Sequence, residues 1–187
     1  NILIQPDSHQ VRLIDFSIAS VLPRESQIIQ PPTVLEGTLA YLSPEQTGRM
    51  NRGIDYRSDF YALGATCYEL LTGECPFEGG SPMEIIHGHL ARQPTPIFQL
   101  CKLPSEMLTT VSAIVLKLME KNAEDRYQSA FGLRHDLDIC LHQLKDLGRI
   151  EAFQLRGQDI CDRFLLPEKL YGRQAQIARL LAAFERT

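Results

Sequence analysis

Gly37-Thr38-Leu39-Ala40-Tyr41-Leu42-Ser43-Pro44-Glu45 is the stretch that decides the fold, taken with what stands on either side of it. Upstream lie Asn1-Ile2-Leu3-Ile4 and Ile14-Asp15-Phe16-Ser17. Downstream lie Ser58-Asp59-Phe60-Tyr61-Ala62-Leu63-Gly64, Leu70-Leu71-Thr72-Gly73-Glu74-Cys75-Pro76-Phe77 and Asp125-Arg126-Tyr127. No one of these residues is decisive alone. An Asp after a strand, such as Asp15, is usually a turn or cap residue. Asp59 in a first helical turn is a favourable partner for the helix dipole, and Arg126 could be one solvated charge among many. Thr38, Ser43 and Glu45 read locally as loop polar groups. Order and spacing carry the information.

Around this frame the chain reads as mainly α. Ile2-Leu3-Ile4 and Val11-Arg12-Leu13-Ile14 are short β-type runs separated by a turn-rich stretch, so a small hairpin is expected at the start. From about Asp15 to Gly53 there is little periodicity and four prolines, and long ordered loops of this kind are commonly functional. Helical spacing of Phe60, Leu63, Cys67, Leu70 and Leu71 predicts a largely buried helix from about Ser58 to Thr72, stopped by Gly73. Ser81-Pro82-Met83-Glu84 has the residues of a capping box with proline at the first helical position, and its helix should run to about Ala91. A third helix follows Pro104-Ser105, and a fourth covers about Ser129 to Leu147 before Gly148.

Composition narrows the function. Of 187 residues, 44% are apolar and 22% charged, as expected of a globular chain. A net charge of −4 argues against a nucleic-acid-binding surface. No apolar run approaches a membrane span, since Ala113-Ile114-Val115-Leu116 is broken by Lys117. Five widely spaced cysteines without a CxxC pair read as buried reduced thiols of a cytoplasmic protein. His87 and His89, two apart, do not share a helix face. They are expected to be exposed or capping, as are His135 and His142. The opening on Asn1, without Met, reads as a cut from a longer polypeptide.

The six ordered matches closely resemble the second half of the protein kinase domain, over residues 1 to about 146. The resemblance implies a C-terminal lobe with a hairpin at its start. Asn1 is similar to the asparagine ending the catalytic loop and Asp15 to the aspartate of the DFG motif, which together hold Mg²⁺ on ATP. Phosphoryl transfer needs such ligands because its catalysis is largely positioning and neutralisation of charge on phosphate oxygens. Phe16 would pack into the core and steer Asp15. Ser17 replaces the usual glycine, which narrows backbone freedom but leaves the carboxylate. Residues from Ser17 to Leu42 correspond to the activation loop, with Ser26 and Thr33 as possible phosphorylation sites by location. Thr38 would support the catalytic base, and Tyr41 lies in the substrate-docking stretch. Ser43-Pro44-Glu45 resembles the APE motif, whose Glu45 would pair with Arg126. Asp59 would accept hydrogen bonds from the catalytic-loop backbone, and Gly64 would permit close helix packing.

The glycine-rich loop, the strand lysine and the catalytic aspartate would all precede Asn1, so residues 1–187 by themselves are expected to be inactive. No P-loop pattern occurs among the glycines. The expected organisation is a kinase lobe at 1–147, a connector at 148–169, and at 170–187 a segment resembling the entry to an AAA-type ATPase domain, with Ile177, Leu180, Leu181 and Phe184 on an amphipathic helix. This combination is similar to bacterial multidomain signalling proteins with sensory and histidine-kinase modules. The implied activity is transfer of the ATP γ-phosphoryl to serine or threonine of a protein substrate. A pseudokinase docking module and a structural connector are the alternatives. A tyrosine kinase is disfavoured by Gly37-Thr38 and Ser43-Pro44-Glu45.

Overall fold

In a computed structural model, residues 1–17, 19, 38–50, 52–101, 105–160 and 179 are described. The expected phosphorylation sites Ser26 and Thr33, most of the activation loop, the end of the connector and the segment at 170–187 apart from residue 179 lie outside them. Strands β1 (Ile2–Ile4) and β2 (Val11–Leu13) form an antiparallel hairpin in which Ile2 pairs with Leu13 and Ile4 with Val11. Among the described residues five helices follow: α1 (Arg57–Thr72), α2 (Pro82–Ala91), α3 (Ile97–Leu100), α4 (Ser105–Leu118) and α5 (Ala130–Leu147). Single 3-10 turns occupy Leu39–Tyr41, Pro44–Thr47 and Ala123–Asp125.

Local chemistry sets the helix ends. Gly73, at φ +80°, and Gly148, at φ +67°, close α1 and α5 in the left-handed conformation that glycine adopts without strain. Ser81 Oγ accepts from the Glu84 N–H at the start of α2. The Glu84 carboxylate, expected to return to the Ser81 N–H, instead accepts from Gly80 at 2.9 Å, one residue further out. Helix α3 is a single turn that periodicity does not reveal; the Ile97 N–H donates to Ser112 Oγ of α4 at 3.1 Å.

Helix α1 lies at the centre. Its Tyr61, Ala65 and Tyr68 pack with Leu108 and Val115 of α4, with Met119 just beyond it, and with Ile97 and Phe77. A Cβ on Gly64 would stand 2.8 Å from Leu118 Cβ and Met119 Cγ, so glycine sets how closely α1 and α4 approach. A second cluster joins Ile114 and Leu118 to Tyr127, to Leu133 and Cys140 of α5, and to Ile150 beyond α5. Cys140 is buried, whereas Cys67, Cys75 and Cys101 are only half-buried, so the expectation of uniformly buried thiols is corrected. Cys67 and Cys101 pack at the margin of the first cluster, and Cys75 stands in the loop after α1. Leu3, Ile4, Val11 and Leu13 of the hairpin are exposed. No helix among the described residues is long and apolar enough to cross a membrane.

Candidate active site

The hairpin register sets Asn1 beside the chain that leaves β2: the Ile14 N–H donates to the Asn1 carbonyl at 2.9 Å. Asn1 and Asp15 therefore stand at the same end of the hairpin, both exposed. Asp15 has φ +60°, the left-handed region that Asp tolerates better than most residues but that still costs energy. Sequence alone did not reveal this strain. The Ser17 hydroxyl donates to Asp15 Oδ1 at 2.7 Å and the Ser17 N–H donates to the same oxygen at 3.4 Å. Those two bonds hold the Asp15 carboxyl below its usual range and keep it ionised. Thus the serine standing where glycine is usual orients the carboxylate. One carboxylate and one amide oxygen at one end of a hairpin suit a hard cation that keeps other positions for water and phosphate. Among the described residues no cluster of three His, Cys, Asp or Glu could itself cage a metal.

Phe16 is a correction. It was expected in the core and is 66% exposed. Among the described residues Phe16 joins neither apolar cluster of the helical lobe.

The segment from Thr38 to Gly48 is fastened to the lobe along its length. Thr38 is exposed and precedes the 3-10 turn without a side-chain cap. The Tyr41 hydroxyl donates to Glu69 of α1 at 2.5 Å, and this bond, with burial, pushes the phenol up to about 12. Gln46 Oε1 accepts from both the N–H and the hydroxyl of Ser43. Glu45 is buried beneath. Arg126 donates to both its oxygens, at 2.6 and 2.8 Å, and the Ser58 hydroxyl adds a third bond at 2.7 Å. Burial alone would raise the Glu45 carboxyl, but the Arg126 bonds and charge outweigh it and hold the group below its usual value. Arg126 spends its remaining donors on the carbonyls of Arg57, Glu120 and Lys121. This ion pair is fully satisfied, as a buried pair must be to persist.

Asp59 stands exposed in the first turn of α1, and partial desolvation pushes its carboxyl upward. His89 departs from expectation. His87 is exposed, but His89 is fully buried, with Nδ1 2.9 Å from the Tyr61 hydroxyl and its ring edge-on to Phe77. Burial, then the nearby Lys121 ammonium, push His89 down to about 4, so it is a neutral core residue. Lys121 in turn sits over the Phe77 ring at 4.4 Å. His135 is half-buried and His142 exposed. Sequence reasoning also missed a charged network around the start of α1. Arg52 pairs both nitrogens with Glu124, and Arg57 pairs with Asp55 at 2.6 Å. The Asp55-x-Arg57 spacing just before α1 was the available signal.

A model of the protein kinase domain matches residues 1–137. The chain is 40% identical over 141 residues to the serine/threonine-protein kinase PknB of Mycobacterium leprae, covering 73% of this chain and 21% of that protein. It is 38% identical over 171 residues to the probable serine/threonine-protein kinase CE0033 of Corynebacterium efficiens, covering 91% and 25%. It is 34% identical over 169 residues to the hybrid signal transduction histidine kinase G of Dictyostelium discoideum, covering 80% and 5%. The chain spans at most a quarter of the length of these relatives. With the hairpin, the fastened segment from Thr38 to Gly48 and the helices arranged as a C-terminal lobe, the chain belongs to the protein kinase family.

Proposed function

We propose that the intact polypeptide transfers the γ-phosphoryl group of ATP to serine and threonine hydroxyls of a protein substrate. The observation that carries this reading is the juxtaposition of Asn1 and Asp15 at one end of the hairpin, with Asp15 ionised and aimed by Ser17. Mg²⁺ bound with ATP would supply neutralisation of phosphate charge. Asn1 and Asp15 would offer it an amide and a carboxylate oxygen, and Ser17 would keep Asp15 turned toward it. Thr38 would steady the catalytic base, which belongs to residues before Asn1, and Asp59 would accept from the catalytic-loop backbone. The exposed apolar hairpin is suited to being covered by the other kinase lobe. Such an ATP-dependent activity fits a cytoplasmic setting.

The likeness to a protein named as a hybrid signal transduction histidine kinase supports placing this lobe in a multidomain signalling polypeptide. There residues 148–169 would connect to an AAA-type ATPase domain beginning near 170. The test is phosphoryl transfer by the intact polypeptide and its Asp15→Asn variant. Transfer should fall about 100-fold or more, the scale of losing a group that stabilises developing charge. Equal rates would refute the role given to Asp15.

A further inference from the structure

Beyond α5, and beyond the residues matched by the kinase model, residues 149–160 fold back onto the lobe. Ile150 is buried in the second apolar cluster, with Phe153 and Leu155 packed against it. The strap then closes on polar contacts. The Asp159 side chain is fully buried and accepts from the N–H groups of Gln128 and Ser129, at 2.8 and 2.9 Å, and from the Ser129 hydroxyl at 2.9 Å. Arg156 donates to Asp159 at 2.8 Å and to the Asp125 carbonyl at 3.2 Å. The Arg156 N–H reaches Asp136, which also accepts from the buried Tyr127 hydroxyl. Gly132 lies so close to Asp159 that a Cβ there would stand 2.5 Å from its Oδ1.

These contacts converge on Asp125–Ser129, the stretch that presents Arg126. Gln128 is the hub. With its N–H held by Asp159, its side-chain amide donates to the carbonyls of Ala123 and Arg126, and its Oε1 accepts from Arg57 at 2.8 Å. Arg126 in turn grips Glu45 of the docking segment and the Arg57 carbonyl. An unbroken series of short bonds therefore runs from Asp159 to Glu45. A buried carboxylate is costly to desolvate, and four donors satisfy this one.

We propose that Arg156 and Asp159 are positioning residues of the kinase: they fix Asp125–Ser129 so that Arg126 meets Glu45, and thereby set the segment that docks protein substrate. This rests on the kinase reading above. The test uses the intact polypeptide as wild type, Asp159→Ala, Asp159→Asn and Arg156→Ala, with ATP and myelin basic protein as acceptor. Asp159→Ala should raise KM for the acceptor about tenfold, with KM for ATP little changed. Asp159→Asn, which retains an acceptor oxygen, should show a smaller rise, and stands in for the alanine variant should that fail to fold. An unchanged acceptor KM, or equal rises for acceptor and ATP, would overturn the proposal. Hydrogen exchange on the same variants reads the clasp without activity. Protection should fall at Gln128 and Ser129 and also at Gln46 and Gly48; loss confined to 149–160 would overturn the proposal. A wild type that transfers no phosphate would defeat the kinase reading, while the exchange result would still decide the clasp.

Discussion

Glu45 and Arg126 are separated by 81 residues in sequence and share two hydrogen bonds inside the lobe. Replacing one partner would strand the other charge where water cannot reach it. Glu45→Gln should therefore cost about 3–5 kcal/mol, measured by urea denaturation. The pH dependence has a definite sign. Glu45 is held below its usual value of 4.5, so its contribution is present above that pH and disappears as pH falls through the lower folded value. The gap between wild type and Glu45→Gln should then close in acid below about pH 4. A gap that widens in acid would contradict the assignment. The pairing was legible only through the family resemblance, since nothing local to Arg126 distinguishes it from a solvated charge. His89 was misjudged for the same reason: its burial depends on Tyr61 and Phe77, which are distant in sequence.

At the level of elements, periodicity and punctuation succeeded where elements are long. The serine caps of α2 and α5 and the closing glycines Gly73 and Gly148 are visible in sequence because each answers a local demand for unpaired backbone groups. Helix α3 was not legible. Four residues are too few to show a period, and Pro94 and Pro96 read as loop. The strap at 149–160 escaped because hydrogen bonds to distant residues hold its polar end and leave no periodic mark. Close approach of α1 and α4 gives a direct check. Gly64→Ala would gain about 1 kcal/mol of helix propensity but drive its methyl into Leu118 and Met119, at about 1–3 kcal/mol. Since Leu118 Cβ cannot swing aside, a net loss of about 1 kcal/mol in denaturation is expected. A stabilised variant would show that the helices separate easily.

For the whole molecule, two regions meet different demands. The helical lobe holds two apolar clusters sharing α4 and a buried ion pair between Glu45 and Arg126. The hairpin that brings Asn1 and Asp15 together leaves Leu3, Ile4, Val11 and Leu13 exposed, and Phe16 with them. Fold class could be read from sequence because the helical lobe is patterned. The exposure of the hairpin could not, because pattern identifies which residues are apolar but not what covers them. The role proposed for the lobe is to supply metal ligands and substrate docking to a larger kinase. The most direct measurement is mass-spectrometric localisation of phosphate after incubating the intact polypeptide with Mg²⁺, ATP and a protein acceptor. Phosphate on serine and threonine, lost in Asp15→Asn, is the predicted result; phosphate on tyrosine alone, or none from the wild type, would contradict it.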